Sequence, residues 1–164
     1  EFPEWRISSK TKPHFLCHRD KISLGDIEFT VLHTPGHSYG HIMLLEEEKK
    51  WLFSGDQISA HNIWHFQGND VQAPFQSTLH SLKELALKVT EDYKIYPAHD
   101  IIPIQKNYLT DLIDCFEWEL QENYKKDVPF HSFAGDGYQH FYQTVNLIYS
   151  DERLGEFLGR KIER

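Results

Sequence analysis

The chain has 164 residues, enough for one domain with a sizeable core, and its 40% hydrophobic and 14% aromatic content is that of a globular protein rather than a disordered one. Its 17 basic and 25 acidic residues give a net charge of −8, so it gains nothing from counterion release, which argues against a nucleic-acid partner. No apolar run reaches membrane-spanning length and no charged-then-apolar leader is visible, so no membrane partner and a cytoplasmic location are expected.

The predicted elements follow in chain order. Trp5–Ser8 reads as a short strand, 10–13 as loop and Phe15-Leu16-Cys17 as a short apolar piece. Gly25-Asp26 marks a tight turn, and the β-branched and aromatic run Ile27–Leu32 is a strand. His33-Thr34-Pro35-Gly36-His37 follows, then Gly40-His41 and a strand over Ile42–Leu45. Glu46–Lys50 is a charged turn, and Trp51-Leu52-Phe53 is a strand ending in Ser54-Gly55-Asp56. Residues 57–76 lack periodicity and read as a long loop with at most a short helical turn. Ser77 is a plausible N-cap for a helix to residue 92 whose apolar face is Leu79, Leu82, Leu85, Ala86 and Val89. Tyr93–Tyr96 is a strand stopped by Pro97-Ala98-His99. A second helix is predicted over 105–126 and loop over 128–137. The stretch 139–149 reads as one strand, with helix as the alternative, and Ser150 caps a last short helix. Cys17 and Cys115 are far apart and lack metal-ligand spacing, so both are expected as free, buried thiols in a reducing compartment.

The chemistry gathers at three strand ends: His33 to His37, Gly55-Asp56 and Pro97-Ala98-His99. Each alone is ordinary turn chemistry, and Pro35-Gly36 excludes a regular helix between His33 and His37. Three such ends in this order are a different matter. Imidazole and carboxylate suit zinc, iron or manganese, and ligands from separate strand ends can converge on one sheet edge.

These residues resemble the metallo-β-lactamase superfamily, and its glyoxalase II-like branch in particular. Thr34-Pro35-Gly36-His37 with Gly40 is similar to the family's T-P-G-H-x-x-G stretch, Gly55-Asp56 to its strand ending in G-D, and Pro97-Ala98-His99 to its late P-A-H. The similarity is clearest over residues 20–105, with 106–164 as a helical and strand extension of a single partial domain, 1–164. The resemblance implies an α+β fold, the αββα sandwich, here mainly its C-terminal half, an antiparallel or mixed sheet with flanking helices. It implies two divalent metals, zinc with iron or manganese as alternatives. His37 would bind the first metal, Asp56 would bridge both and act in catalysis, and His99 would bind the second. It makes His33 a loop-orienting residue, leaves His41 either on the site wall or at a strand end, and puts His61 and His65 where related proteins hold substrate.

The family's H-x-H-x-D-H motif is not in this sequence; His14 and His18 lack its spacing and its Asp-His. The start at Glu1 reads as internal, favouring a fragment from truncation, proteolysis or a second chain over a natural half-domain. The implied activity is hydroxide attack on an ester, thioester or lactone carbonyl of a small molecule, with this stretch inactive alone. The alternative is a non-catalytic half-domain. Either way an apolar sheet face is expected to be left bare, for a dimer or for the absent N-terminal portion.

Overall fold

A computed structural model describes residues 12–65, 71–99, 101–132 and 135–164. The strand predicted over Trp5–Ser8 lies outside these residues. Nine strands and four α-helices are described: β1 Lys21–Leu24, β2 Ile27–His33, β3 Ile42–Glu46, β4 Trp51–Gly55, β5 Ile63–His65, α1 Phe75–Ala86, β6 Lys94–Pro97, α2 Asn107–Asp114, α3 Leu120–Asn123, β7 Val128–Ser132, β8 Gly135–Tyr142, β9 Val145–Tyr149 and α4 Asp151–Leu158.

They form two sheets, of order β1-β2-β3-β4-β6 and β5-β9-β8-β7. Strands β1 to β4 are an antiparallel meander; β2 to β4 follow the predicted strands, and β1 is added by pairing with β2 across the Gly25-Asp26 turn. Strand β6 then lies parallel to β4. Antiparallel steps from β2 to β3 to β4 point β2 and β4 the same way, and β6 follows β4. The C-terminal ends of β2, β4 and β6 therefore share one edge, which is where His37, Asp56 and His99 are carried.

One face of the first sheet, bearing Leu32, Met43, Leu45, Leu52 and Ile95, joins the main core with Leu82, Leu85, Leu109 and Leu112 of α1 and α2. The register places Val31, Leu44, Phe53 and Tyr96 in a row on the opposite face. Phe53 stacks on Tyr96 at 5.1 Å and meets Phe29 edge-on at 5.6 Å, yet is 38% exposed. Half-buried Leu44, Trp51 and Tyr96 extend this apolar patch.

Several expectations are corrected. Residues 57–76 include a strand, β5, because Ile63 and His65 pair with β9 more than 80 residues later. Helix α1 begins at Phe75, after Pro74, which pre-sets the helical entry; Ser77 lies inside it, and the helix ends at Ala86 rather than near residue 92. The second helix is shorter and mixed: α2 runs into a π-helical turn over Cys115–Glu119, then α3 and a 3-10 turn over Tyr124–Lys126. The predicted loop 128–137 holds β7 and the start of β8, a hairpin, and 139–149 is two strands joined at Gln143-Thr144. Both thiols are free, but Cys17 is exposed; only Cys115 is buried. Ser150 does cap α4, its side chain accepting from the Arg153 N–H at 3.3 Å.

His65 sits in the core. It is fully buried, edge-on to Phe75 at 5.6 Å and Phe116 at 5.8 Å, and neither ring nitrogen has a hydrogen-bond partner. Burial first, then the Arg153 charge, lowers its pKa to about 3. The folded protein therefore keeps this ring neutral down to about pH 3, whereas the unfolded chain protonates it near 6.5. Between those values the unfolded state binds more protons, so stability falls as pH falls. Acidification from about pH 7 to about pH 5 is expected to cost about 2 kcal/mol through this group. Urea unfolding at several pH values should show that slope, and His65→Leu should flatten it. An unchanged slope in the variant would rule out His65 as its source.

Candidate metal centre

The loop after β2 is tied down on all sides. Thr34 N–H bonds His41 O at 2.9 Å, Gly36 N–H bonds Ser38 O at 3.1 Å, and Ala73 N–H bonds Gly36 O at 2.9 Å. The Ser81 hydroxyl on α1 donates to Pro35 O at 3.1 Å. His37 N–H donates to Gln57 Oε1 at 2.6 Å. Gln57 is completely buried and lies flat on Gly36, where a Cβ would fall 2.1 Å from Gln57 Oε1. Glycine is thus the one residue that lets the loop close on β4. Gly55 has a second reason to be glycine: its φ is +56°, and His41 Nε2 stands 2.8 Å from where its Cβ would be.

At the shared edge Asp56 stands between two imidazoles. Its Oδ1 is 3.0 Å from His99 Nε2 and its Oδ2 is 3.9 Å from His37 Nε2. The longer distance is no hydrogen bond, and His37 Nδ1 is buried without a partner, so neither nitrogen of His37 is satisfied within the described residues. Two donors about 2 Å from one tetrahedral metal lie about 3.3 Å apart, a value between the two observed spacings. The donor types and the orphaned imidazole suit a divalent metal ion, which the superfamily generally binds. Among the described residues no three His, Cys, Asp or Glu side chains surround one ion.

His33 and His41 support the loop. His33 Nε2 meets Tyr39 O at 2.8 Å, and its N–H donates to His18 Nδ1 at 3.1 Å. His41 Nδ1 meets Thr34 Oγ1 at 2.9 Å. Burial, then the neighbouring His37, lowers the His41 pKa to about 4, so this ring is neutral at neutral pH.

His37, Asp56 and His99 line a cleft of about 360 Å³ whose other walls are His61, Asn62 and Trp64. His61 is therefore on the cleft. His65 is not: alternation along β5 turns Trp64 to the cleft and His65 into the core, which corrects the substrate-facing role expected for it. Asn62 and Trp64 were missed. Asn62 Oδ1 accepts from Asn146 on β9 at 2.5 Å, and Trp64 packs edge-on to Phe130 of β7 at 5.4 Å. No local pattern could reveal either contact.

The family model described as the metallo-beta-lactamase superfamily matches residues 3–103. The chain belongs to the metallo-beta-lactamase superfamily. Over 61 residues it is 46% identical to the acyl-coenzyme A thioesterase MBLAC2 of Gallus gallus, covering 34% of this chain and 22% of that protein. Over 86 residues it is 33% identical to the hydroxyacylglutathione hydrolase of Bdellovibrio bacteriovorus, covering 52% of this chain and 32% of that one. A metallo-beta-lactamase structure from Staphylococcus aureus superposes with a TM-score of 0.52 at 25% identity, over 66% of this chain and 36% of that one. The stretch shared with these relatives is thus about a fifth to a third of their length.

Proposed function

We propose that this chain supplies half of a dinuclear metallohydrolase centre acting on a small thioester, with His37, Asp56 and His99 as its ligands. The observation that carries the reading is Asp56, which turns one carboxylate oxygen toward each of two imidazoles at one sheet edge. The choice of thioester rests on the relatives, one named as an acyl-coenzyme A thioesterase and another as a hydroxyacylglutathione hydrolase. Zinc or a similar divalent ion held there would lower the pKa of a bound water and polarise the scissile carbonyl.

The chain's own residues have separate tasks in this reading. His37 offers Nε2 from a loop whose backbone Gln57 holds in place. His99 offers Nε2 from the end of β6. Asp56 orients the attacking water and accepts its proton on a carboxylate oxygen. His61, Asn62 and Trp64 wall the cleft where the acyl group would lie. The remaining ligands would come from a partner or from sequence outside residues 1–164, docked on the apolar face around Phe53.

Because each metal would have about half its ligands, zinc should bind weakly and the isolated chain should not turn over thioesters or lactones. Asp56→Asn is expected to weaken zinc binding by about 10-fold or more, read by equilibrium dialysis. Equal affinity of the variant and the parent chain would exclude Asp56 as a ligand. Steady hydrolysis by the metal-loaded chain alone would refute the half-site.

A second reading has its own observation, the exposed aromatic row Phe53–Tyr96. A half-domain that pairs through this face without catalysis would be dimeric and free of metal. Sedimentation of the metal-free chain, beside its zinc content, separates the two.

A further inference from the structure

A second cavity, of about 390 Å³, shares no lining residue with the His37–Asp56–His99 cleft. Leu32 and Leu85, both buried, form an apolar floor. Arg19, Lys88 and His18 line the cavity together with one carboxylate, Glu84. Arg19 is held at a left-handed φ of 75°, uncommon for a residue other than glycine. Three hydrogen bonds impose it: Arg19 N–H to Val31 O at 2.7 Å, Asp20 N–H to Cys17 O at 3.1 Å and Cys17 N–H to Asp20 Oδ2 at 2.7 Å. That turn presents His18 and Arg19 side by side. His18 Nδ1 accepts the His33 N–H, so its neutral ring carries the proton on Nε2 and remains a donor. Arg19 and Lys88 form no salt bridge among the described residues. The lining thus has one more fixed positive than negative charge, in a chain of net −8.

We infer that this cavity binds a small amphiphilic monoanion, a medium-chain carboxylate. Its tail lies on Leu32 and Leu85, and its carboxylate meets Arg19, Lys88 and His18 Nε2. One surplus positive charge suits a monoanion and leaves a dianionic phosphate ester under-neutralised. The inference is independent of the metal edge.

The test is titration of the isotope-labelled chain with octanoate, octylamine and octyl phosphate, followed by amide NMR. Octanoate should shift Leu32, Ser81 and Leu85 saturably, octyl phosphate should bind more weakly, and octylamine should leave them unmoved. Arg19→Ala with Lys88→Ala, at exposed positions, should raise the octanoate Kd about 10-fold or more while the remaining spectrum is preserved. Equal binding of octylamine, an unchanged Kd in the double variant, or tighter octyl phosphate would overturn the assignment. So would shifts confined to Phe53 and Tyr96, or no saturable binding.

Discussion

Replacing Arg153 by alanine is expected to cost about 3–5 kcal/mol. Arg153 is only 2% exposed although it carries a permanent charge. Its guanidinium donates to the carbonyls of Ala73 and, at 3.4 Å, Gln72, and pairs with Glu156 at 3.0 Å. It also lies 5.6 Å from the centre of the Phe75 ring. Alanine would take the guanidinium from the buried Ala73 carbonyl and leave a void beneath α4, and both penalties act together. Arg153→Lys should recover part of the loss, since it keeps the charge but not the fork that reaches adjacent carbonyls. The effect travels further, because Ala73 N–H holds Gly36 O of the histidine loop at 2.9 Å. Arg153→Ala should therefore also weaken zinc binding at His37, some distance from any metal. A loss under about 1 kcal/mol in urea unfolding would show that α4 is not anchored this way.

Gly36→Ala should cost about 2–4 kcal/mol, although the change adds one methyl group to a loop. The backbone at Gly36 does not need glycine; the space does. The new Cβ would fall 2.1 Å from Gln57 Oε1, and Gln57, being 0% exposed, cannot swing out into solvent. If Gln57 moves, the half-buried His37 N–H loses its acceptor at 2.6 Å. The double variant with Gln57→Ala isolates the cause. It removes the obstruction, so adding Gly36→Ala should then cost little. A double-mutant cycle is expected to show about 1–3 kcal/mol of coupling, and simple additivity would disprove the contact as the source. In the parent chain the His37 amide should exchange slowly, and in Gln57→Ala quickly.

Gln57 and His65 show why part of the site was not legible in the sequence. Thr34-Pro35-Gly36-His37, Gly55-Asp56 and Pro97-Ala98-His99 were legible because each is a local signal, turn residues directly after a short β run. Gln57 carries no local signal. Its role exists only because the end of β4 returns to the loop after β2, twenty residues earlier. His65 misled for the same reason. Its place in a polar stretch suggests a cleft, while its pairing with Tyr149 on β9 puts it in the core.

The amino-acid sequence by itself determined the strands β2, β3 and β4, the capped last helix, the apolar face of α1 and the three punctuated strand ends. Each follows from propensity and periodicity over a few residues, where backbone sterics and side-chain alternation act without distant partners. The tertiary structure alone decided that β6 lies parallel to β4, which is what carries His99 to within 3.0 Å of Asp56. It also decided that residues 128–149 form a second sheet with β5, and that His61 faces the cleft while His65 does not. A strand's pattern records which of its faces is apolar but not which neighbour will cover it. That choice is made by packing between segments far apart in the chain, and the edge that joins His37, Asp56 and His99 is one of its products.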